Sequence, residues 1–372
     1  MKITYVQITR LFILVLWLGT GAIQLDAQGL ATPRVSPPAE LKQTIGLTEI
    51  VVNYARPKVI RDGQDRTGKI WGQAAWYGFI DAGGGKIPWR AGANENTLIS
   101  FSDDVKVEGK ALKAGKYGLY MALSEEGKAT VIFSKKTDAW GSFGYNQSED
   151  ALRVDVEMKD NHFVNPLTYD FTELGNDYGV MALSWEKKQI PFKIEVDVKE
   201  AVLANFRKQL KGEGGSSWQA FNAAAGYCAQ LNFNHEEALG WAEKSIHADK
   251  NIRNMSTKAL LLYQTGHKED AFATTDDIAQ NADNAQLNSL GYQMLQMKEF
   301  EKGIAYFELN VERNPKDANV YDSLGEAYML KGDKKKAIKT LKKALTLNPA
   351  DNVKQNTLAN LKKMGVEMKE SH

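Results

Sequence analysis

Apolar residues recur along this chain in two rhythms, and the change from one to the other falls near residue 199. Between Thr44 and Val198 the period is two. Ile190, Phe192, Ile194, Val196 and Val198 alternate with Pro191, Lys193, Glu195 and Asp197. Leu152, Val154, Val156 and Met158 alternate with Arg153, Asp155 and Glu157. Successive side chains on a strand point to opposite faces, so this pattern predicts strands with one buried and one wet face, as in antiparallel sheets. Shorter apolar runs at residues 50–54, 98–101, 117–123, 130–133 and 180–185 fit the same reading. Glu108-Gly109 and Glu125-Glu126-Gly127 lie between apolar runs at hairpin spacing, where glycine accepts positive φ. No helical pattern of ten or more residues interrupts the region, which argues against parallel βαβ units. Many short strands with frequent turns predict an all-β, antiparallel, sandwich-like domain over residues 36–198.

At Glu200 the period becomes helical: Val202, Leu203, Phe206 and Leu210 form one stripe. Residues 199–217 therefore read as a helix followed by the linker Gly212-Glu213-Gly214-Gly215-Ser216-Ser217. Beyond it the sequence repeats itself. Leu290-Gly291 recurs as Leu324-Gly325, Phe307 as Leu341 and Asn314-Pro315 as Asn348-Pro349, each 34 residues later. In the best copy, residues 318–351, Gly325, Ala337 and Ala344 are small enough for paired helices to approach closely, and Pro349 helps to end the second helix. Two weaker copies lie upstream, around Gly226, Ala229 and Ala238, and around Ala259, Leu262, Gly266 and Ala271. Residues 352–364, with Leu358 and Leu361, predict a terminal capping helix, so an all-α repeat array spans 218–364. The interval and the positions of the small residues resemble tetratricopeptide (TPR) repeats. That resemblance implies a concave surface of first helices that takes extended peptides or helices. It assigns Asn288, Tyr292, Asn319, Asp322 and Glu326 to that surface, without the lysine and arginine set that would clamp a terminal carboxylate. Lys335, Lys339, Lys342 and Lys343 fall on the second helix and read as a solvated outer face.

Composition narrows the class. In 372 residues, 43% are hydrophobic and 25% charged, the balance of a globular protein of two or three domains. Basic and acidic residues number 47 and 46, so no broad attraction to nucleic acid or anionic membrane is expected. Lys2 and Arg10 flank an apolar core at residues 11–23 (LFILVLWLGTGAI). That core is shorter than the roughly 20 residues a membrane-spanning helix needs. Residues 1–27 read as a signal peptide cut after Ala27, with an uncleaved N-terminal anchor as the other reading. The address is then periplasmic or extracellular, with no transmembrane span after cleavage. Cys228, the single cysteine, sits among Ala223, Ala224, Ala225 and Ala229, which suits packing and allows no internal disulfide.

Candidate chemistry gathers at Trp89-Arg90-Ala91-Gly92-Ala93-Asn94-Glu95-Asn96-Thr97. Small residues let a backbone approach a ligand, while arginine and asparagine supply donors and glutamate an acceptor. With Arg56, Trp71, Trp76 and Tyr77, the residues Trp89, Arg90, Asn94 and Glu95 form a candidate site for a saccharide, a peptide or a carboxylate. The competing reading makes the tryptophans core residues and pairs Arg90 with Glu95 across a strand end. A hydrolase acting on sugar or peptide would use Glu95 as acid or base with Arg56 or Arg90 orienting the substrate, but a glutamate beside arginines has a lowered pKa, which suits a general acid poorly. His162 is the β region's one histidine and reads as solvated, so a histidine metal site or triad lacks partners. No catalytic residue, metal or cofactor is assigned. Gly83-Gly84-Gly85-Lys86 is followed by Ile87 where a phosphate loop needs Ser or Thr, and reads as the tip of an insertion. Gly141-Ser142-Phe143-Gly144 lacks the spacing of a hydrolase elbow.

In order, Tyr54-Ala55-Arg56-Pro57, Lys69-Ile70-Trp71-Gly72, Tyr77-Gly78, Trp89-Arg90-Ala91-Gly92-Ala93-Asn94-Glu95, Trp140-Gly141 and Trp185-Glu186 resemble the secreted bacterial family called domain of unknown function 2911. The resemblance covers about residues 36–198. Ala55 and Ala91 stand where that family usually has serine and threonine, and residues 79–88 are inserted, placed to act as a flap over the Trp89 loop. The resemblance implies an exported β domain and no particular reaction. The functional expectation is an exported, non-catalytic binding or adaptor protein, with a ligand or envelope component on the β domain and a protein or peptide partner on the repeats. A hydrolase-like enzyme and a structural stalk presenting the β domain are its alternatives.

Overall fold

The computed structural model describes residues 32–61, 63–212, 215 and 217–366; the expected signal peptide and three residues of the expected linker lie outside them. The chain divides between Ala201 and Val202 into two compact units.

The first unit contains β1 (Pro38–Ile45), β2 (Thr48–Ala55), β3 (Ile60–Arg61), β4 (Gln64–Asp65), β5 (Ile80–Asp81), β6 (Lys86–Ile87), β7 (Thr97–Phe101), β8 (Val105–Val107) and β9 (Lys110–Leu112). It continues with β10 (Gly115–Leu123), β11 (Lys128–Ser134), β12 (Asp150–Glu157), β13 (Lys159–Leu174) and β14 (Tyr178–Val196). A six-stranded sheet runs β1-β2-β7-β10-β11-β12 and a four-stranded sheet runs β13-β14-β8-β9; β3–β4 and β5–β6 are separate small hairpins. Every named strand pair is antiparallel.

The two larger sheets share one core. Ile50, Val52, Ile99, Leu119 and Phe133 from the first join Leu167, Met181, Leu183, Phe192 and Ile194 from the second. Rings bridge the layers: Tyr54 meets Tyr169 edge-on at 4.9 Å, and Phe133 meets Phe192 at 6.2 Å. An all-β antiparallel sandwich is what period-two alternation dictates, because one buried face per sheet must find another to cover it. The β8–β9 turn confirms the hairpin chemistry, with Glu108 at φ 48° and Gly109 at φ 75° between paired Val107 and Lys110.

One expected feature differs. The runs 180–185 and 190–196 belong to a single strand, β14, and Val198, the last residue of the expected alternation, opens the first helix instead. β14 pairs with β13 up to Gln189 and with β8 from Ile194, and Pro191 lies in the gap, where its missing N–H withdraws no ladder bond.

The second unit is helical. Its boundary falls inside α1 (Val198–Gln209), which is followed by α2 (Trp218–Leu231), α3 (His235–Ala248), α4 (Ile252–Gln264), α5 (Lys268–Asn281) and α6 (Asn284–Gln296). Next come α7 (Phe300–Arg313), α8 (Ala318–Lys331), α9 (Lys334–Leu345) and α10 (Asp351–Lys363). Side-chain caps mark the starts: Ser217, Asn251, Asp283, Asp317 and Asp333 each accept a first-turn backbone N–H. Hairpins α2–α3, α4–α5, α6–α7 and α8–α9 repeat, and equivalent glycines set the separation of the last two. A Cβ on Gly291 would lie 2.5 Å from the Phe307 ring, and one on Gly325 would lie 2.6 Å from Leu341. First helices also pack in succession, α2 on α4, α6 on α8 and α8 on α10. Gln293 of α6 donates to the Ser256 carbonyl of α4 at 3.0 Å. Cys228 is buried with Ala224, Ala225 and Ala229, and Lys335, Lys339, Lys342 and Lys343 are exposed. No helix among the described residues is long and apolar enough to cross a membrane.

Candidate functional site

The Trp89–Thr97 loop enters β7 across the end of β2, and the fold assigns its residues to different tasks. Trp89 is 1% exposed, exchanges backbone hydrogen bonds with Met121 and lies parallel to Trp185 at 6.1 Å. Trp71, half-buried, meets both rings edge-on at 6.2 and 6.3 Å. These three indoles are a core cluster. Tyr77 bridges to Leu123 and lays its ring where a Cβ on Gly72 would come within 2.7 Å. Arg56 reaches the other sheet: Nε donates to the Leu167 carbonyl at 3.0 Å and Nη2 to Thr168 Oγ1 at 2.6 Å, tying the end of β2 to β13.

Arg90 turns back on its own loop and donates from Nη1 to the Asn94 carbonyl at 2.8 Å. Its guanidinium lies against Gly141, where a Cβ would stand 2.5 Å from Cζ, and burial lowers its pKa. Asn94, at φ 60°, donates through Nδ2 to the Ser36 carbonyl at 3.0 Å. The Ala91 carbonyl accepts from Thr97 Oγ1 at 3.0 Å and from Tyr169 OH at 2.9 Å. Gly92 is needed for contact rather than conformation, since a Cβ there would meet Thr97 Oγ1 at 2.7 Å and the Ala55 carbonyl at 3.3 Å.

Of the eight candidate residues, Glu95 alone lines an open cleft beside β1 and β2. That cleft, of about 490 Å³, is bounded by Arg34, Glu40, Asn53, Tyr54, Glu95 and Leu98 among others. Arg34 Nη1 bonds both Glu95 oxygens, at 2.8 and 2.9 Å, and Asn53 Nδ2 donates to Glu40 at 2.7 Å. A hydrogen bond from its own backbone N–H, followed by the bond and charge of Arg34, holds the Glu95 carboxyl below its ordinary range. It is an ionised acceptor, not a stored proton. The pairing expected between Arg90 and Glu95 is replaced by Arg34 with Glu95. Arg34, Glu40 and Asn53 carried no motif, and only register across β1 and β2 (Glu40 opposite Asn53) sets two of them side by side. No cluster of three or more His, Cys, Asp or Glu among the described residues is arranged for a metal ion, and His162 is exposed.

The insertion forms the β5–β6 hairpin. It bounds a second cleft, lined on its far side by residues 144–147 and by no residue of the Trp89 loop, so it is not a lid on that loop.

On the repeats, the five expected positions fall on α6 and α8. Tyr292 OH donates to Glu326 Oε2 at 2.8 Å. Asp322 is 4% exposed and accepts from Thr357 Oγ1 at 2.6 Å and Asn356 Nδ2 at 2.7 Å, so it joins α8 to α10. Asn288 and Asn319 are half-buried, and Asn288 Oδ1 has no hydrogen-bond partner. Asn254, Asn288, Asp322 and Asn356 follow one another at 34-residue intervals, a polar slot that the repeat period could have revealed in full.

Comparison with known proteins agrees with this division. Residues 36–194 match the family described as protein of unknown function (DUF2911), and residues 318–351 match a tetratricopeptide repeat. Superkiller protein 3 of Schizosaccharomyces pombe is 37% identical over 75 residues, 20% of this chain and 5% of its own length. Tetratricopeptide repeat protein 37 of Xenopus laevis is 24% identical over 241 residues, 63% of this chain and 14% of that protein. The chain thus spans a small fraction of these curated relatives. Among solved structures, a tetratricopeptide repeat protein from Parabacteroides merdae aligns at 16% identity and TM-score 0.31, covering 45% of this chain and 66% of that one. MamA from Desulfovibrio magneticus RS-1 aligns at 20% identity and TM-score 0.28, covering 40% and 85%. The chain therefore carries an N-terminal DUF2911 domain, built as an antiparallel β sandwich, followed by tetratricopeptide repeats.

Proposed function

We propose that this is an exported, non-catalytic binding protein whose repeats recruit a protein partner and whose β unit holds a ligand or an envelope component. The observation that supports the first half is the succession of first helices, which carry two polar candidates each, Asn288 and Tyr292 on α6, then Asn319 and Glu326 on α8, with Tyr292 and Glu326 in direct contact. An extended segment crossing those helices would meet a fresh donor or acceptor at each repeat. Asp322, committed to α10, serves the array itself. Export is supported by Lys2, Arg10, the apolar core at 11–23 and Ala27.

Affinity capture from envelope fractions with the full chain tests the adaptor role. A partner retained by the parent and by Glu95→Gln, and lost with Asn288→Ala combined with Glu326→Ala, supports it. A partner indifferent to the repeat substitutions refutes it. N-terminal sequencing of the protein from the periplasm or medium tests export, and an intact Met1 there would refute cleavage.

A further inference from the structure

The second cleft, of about 830 Å³, lies between the β5–β6 hairpin and residues 144–147, with Phe79, Gly84, Lys86, Tyr145, Asn146 and Gln147 in its lining. Its two rings are fixed from behind by one arginine. Phe79 and Tyr145 stand 6.2 Å apart at 42°. Arg153 of β12 donates through Nη2 to Tyr145 OH at 2.5 Å and through Nε to Asp150 at 2.6 Å, and its guanidinium carbon is 5.4 Å from the Phe79 ring centre. Tyr145 OH donates to the same Asp150 oxygen at 2.7 Å, and Tyr120 backs the Tyr145 ring at 5.3 Å. The two rings, in tilted contact with each other, are thus positioned before any ligand arrives, which reduces the ordering cost of binding.

The rest of the lining points to one ligand class. Gly84 has neither a left-handed φ nor a neighbour within 4 Å of a Cβ, so neither conformation nor packing requires glycine there. Without a side chain, the exposed backbone of Gly84 can be approached closely by a ligand. Asn146 Oδ1 caps Ser148, which leaves its Nδ2 as a donor, and Gln147 is an exposed amide. On the same segment Trp140 and Phe143 are 59% and 56% exposed, an unusual outlay of aromatic surface for one short turn. Lys86 is the one charged residue in the lining. Aromatic faces with amide donors and few charges match the C–H faces and hydroxyls of sugar rings. A peptide that binds by adding a strand would need a longer sheet edge, since β5 and β6 are two residues each.

We propose that this cleft is a saccharide-binding site, in which Phe79 and Tyr145 receive sugar rings, Asn146, Gln147 and the Gly84 backbone bond hydroxyls, and Lys86 favours sugars bearing a carboxylate. The proposal rests on the reading of the β unit as the ligand-holding half and is independent of the repeats' partner. Titration of the full chain with chitotetraose, cellotetraose and tetragalacturonate, followed by calorimetry, tests it. At least one sugar binds, and Phe79→Ala and Gln147→Ala each weaken that binding by about tenfold, a lost stack or hydrogen-bond pair. Glu95→Gln, at the other cleft, leaves it unchanged. Should Phe79→Ala misfold, Gln147→Ala and Lys86→Ala at exposed positions carry the test. Failure of all three sugars, or binding indifferent to Gln147→Ala and Lys86→Ala, overturns the proposal. If the sugar binding instead falls with Glu95→Gln, the β unit remains the ligand holder but this cleft is not its site.

Discussion

Replacing Arg56 by methionine separates a structural arginine from a ligand-binding one. The side chain donates twice across the sandwich, to the Leu167 carbonyl and to Thr168 Oγ1, and Leu167 itself is fully buried. Methionine keeps the length and removes both donors. Hydrogen bonds from charged groups contribute about 1.5–3 kcal/mol each, and water recovers part of that at a half-buried site, so the expected loss is about 2–3 kcal/mol. With a urea dependence of about 2 kcal/mol per molar, the unfolding midpoint of the β unit falls by about 1 M. Trp71, Trp76, Trp89, Trp140 and Trp185 lie in that unit and Trp218 and Trp241 in the helical one, so tryptophan fluorescence of the full chain, read beside the helical circular-dichroism signal, separates the transition. Lysine at 56, with one ammonium for two separated acceptors, gives an intermediate loss. An unmoved midpoint with methionine would refute the staple and return the guanidinium to the ligand-binding account.

Gly141→Ala places a Cβ against Arg90 at φ 68° and is expected to destabilise the β unit by more than about 1 kcal/mol, whereas Gly83→Ala, at φ 77° in open space, loses only the backbone contribution of about 1 kcal/mol. Equal thermal shifts for the two would contradict the contact. Tyr120 is fully buried and its hydroxyl makes no hydrogen bond of good geometry; burial, then the carboxylates of Glu149, Asp138 and Asp150, push its pKa up to about 12, against the lowering effect of the nearby Asn96 amide. Because the unfolded tyrosine releases its proton first, near pH ~10, stability is full below that value and falls as pH rises through the folded pKa. Tyr120→Phe should leave neutral stability unchanged or higher and shrink the alkaline loss in urea midpoints, and an undiminished loss would argue against it. Asp322→Ala should weaken the repeat array by about 2 kcal/mol, and Asp322→Asn by less, because asparagine can still accept one of the two bonds. Circular dichroism melts that rank the two variants the other way would exclude the α8–α10 link.

The fold was legible where a side chain's burial follows its position in the element. From Ile190 to Val196 each odd neighbour of the apolar residues is wetter than they are, and the strand announces itself. β13 stayed hidden because only Leu167 and Tyr169 of its sixteen residues are buried, so its period of two is confined to the short stretch from Leu167 to Phe171. The length of β14 stayed hidden for a different reason: Pro191 ordinarily breaks a strand, and its harmlessness depends on a change of partner that sequence does not display. In the repeats, Gly291 and Gly325 were informative because one steric requirement, a ring or leucine at contact distance, is imposed twice at the same interval.

The candidate site was less legible because tryptophan, arginine and asparagine serve a core and a binding surface with the same chemistry. Trp89 looks like a ligand platform until Trp185 is found flat against it, and Arg90 looks like a clamp until Gly141 is found beneath it. Local composition thus identified a loop of unusual demand, and tertiary contacts met that demand from within: Asn94 on Ser36, Thr97 and Tyr169 on the Ala91 carbonyl. By the same reasoning, a residue whose demand is unmet after folding is the better sign of a ligand. Gly84, required by neither backbone nor packing, and Gln147, an exposed amide beside a ring pair already held in place, satisfy that criterion where Trp89 and Arg90 do not. It is the surplus left by the folded structure, rather than the richness of a sequence motif, that directs attention to the hairpin cleft.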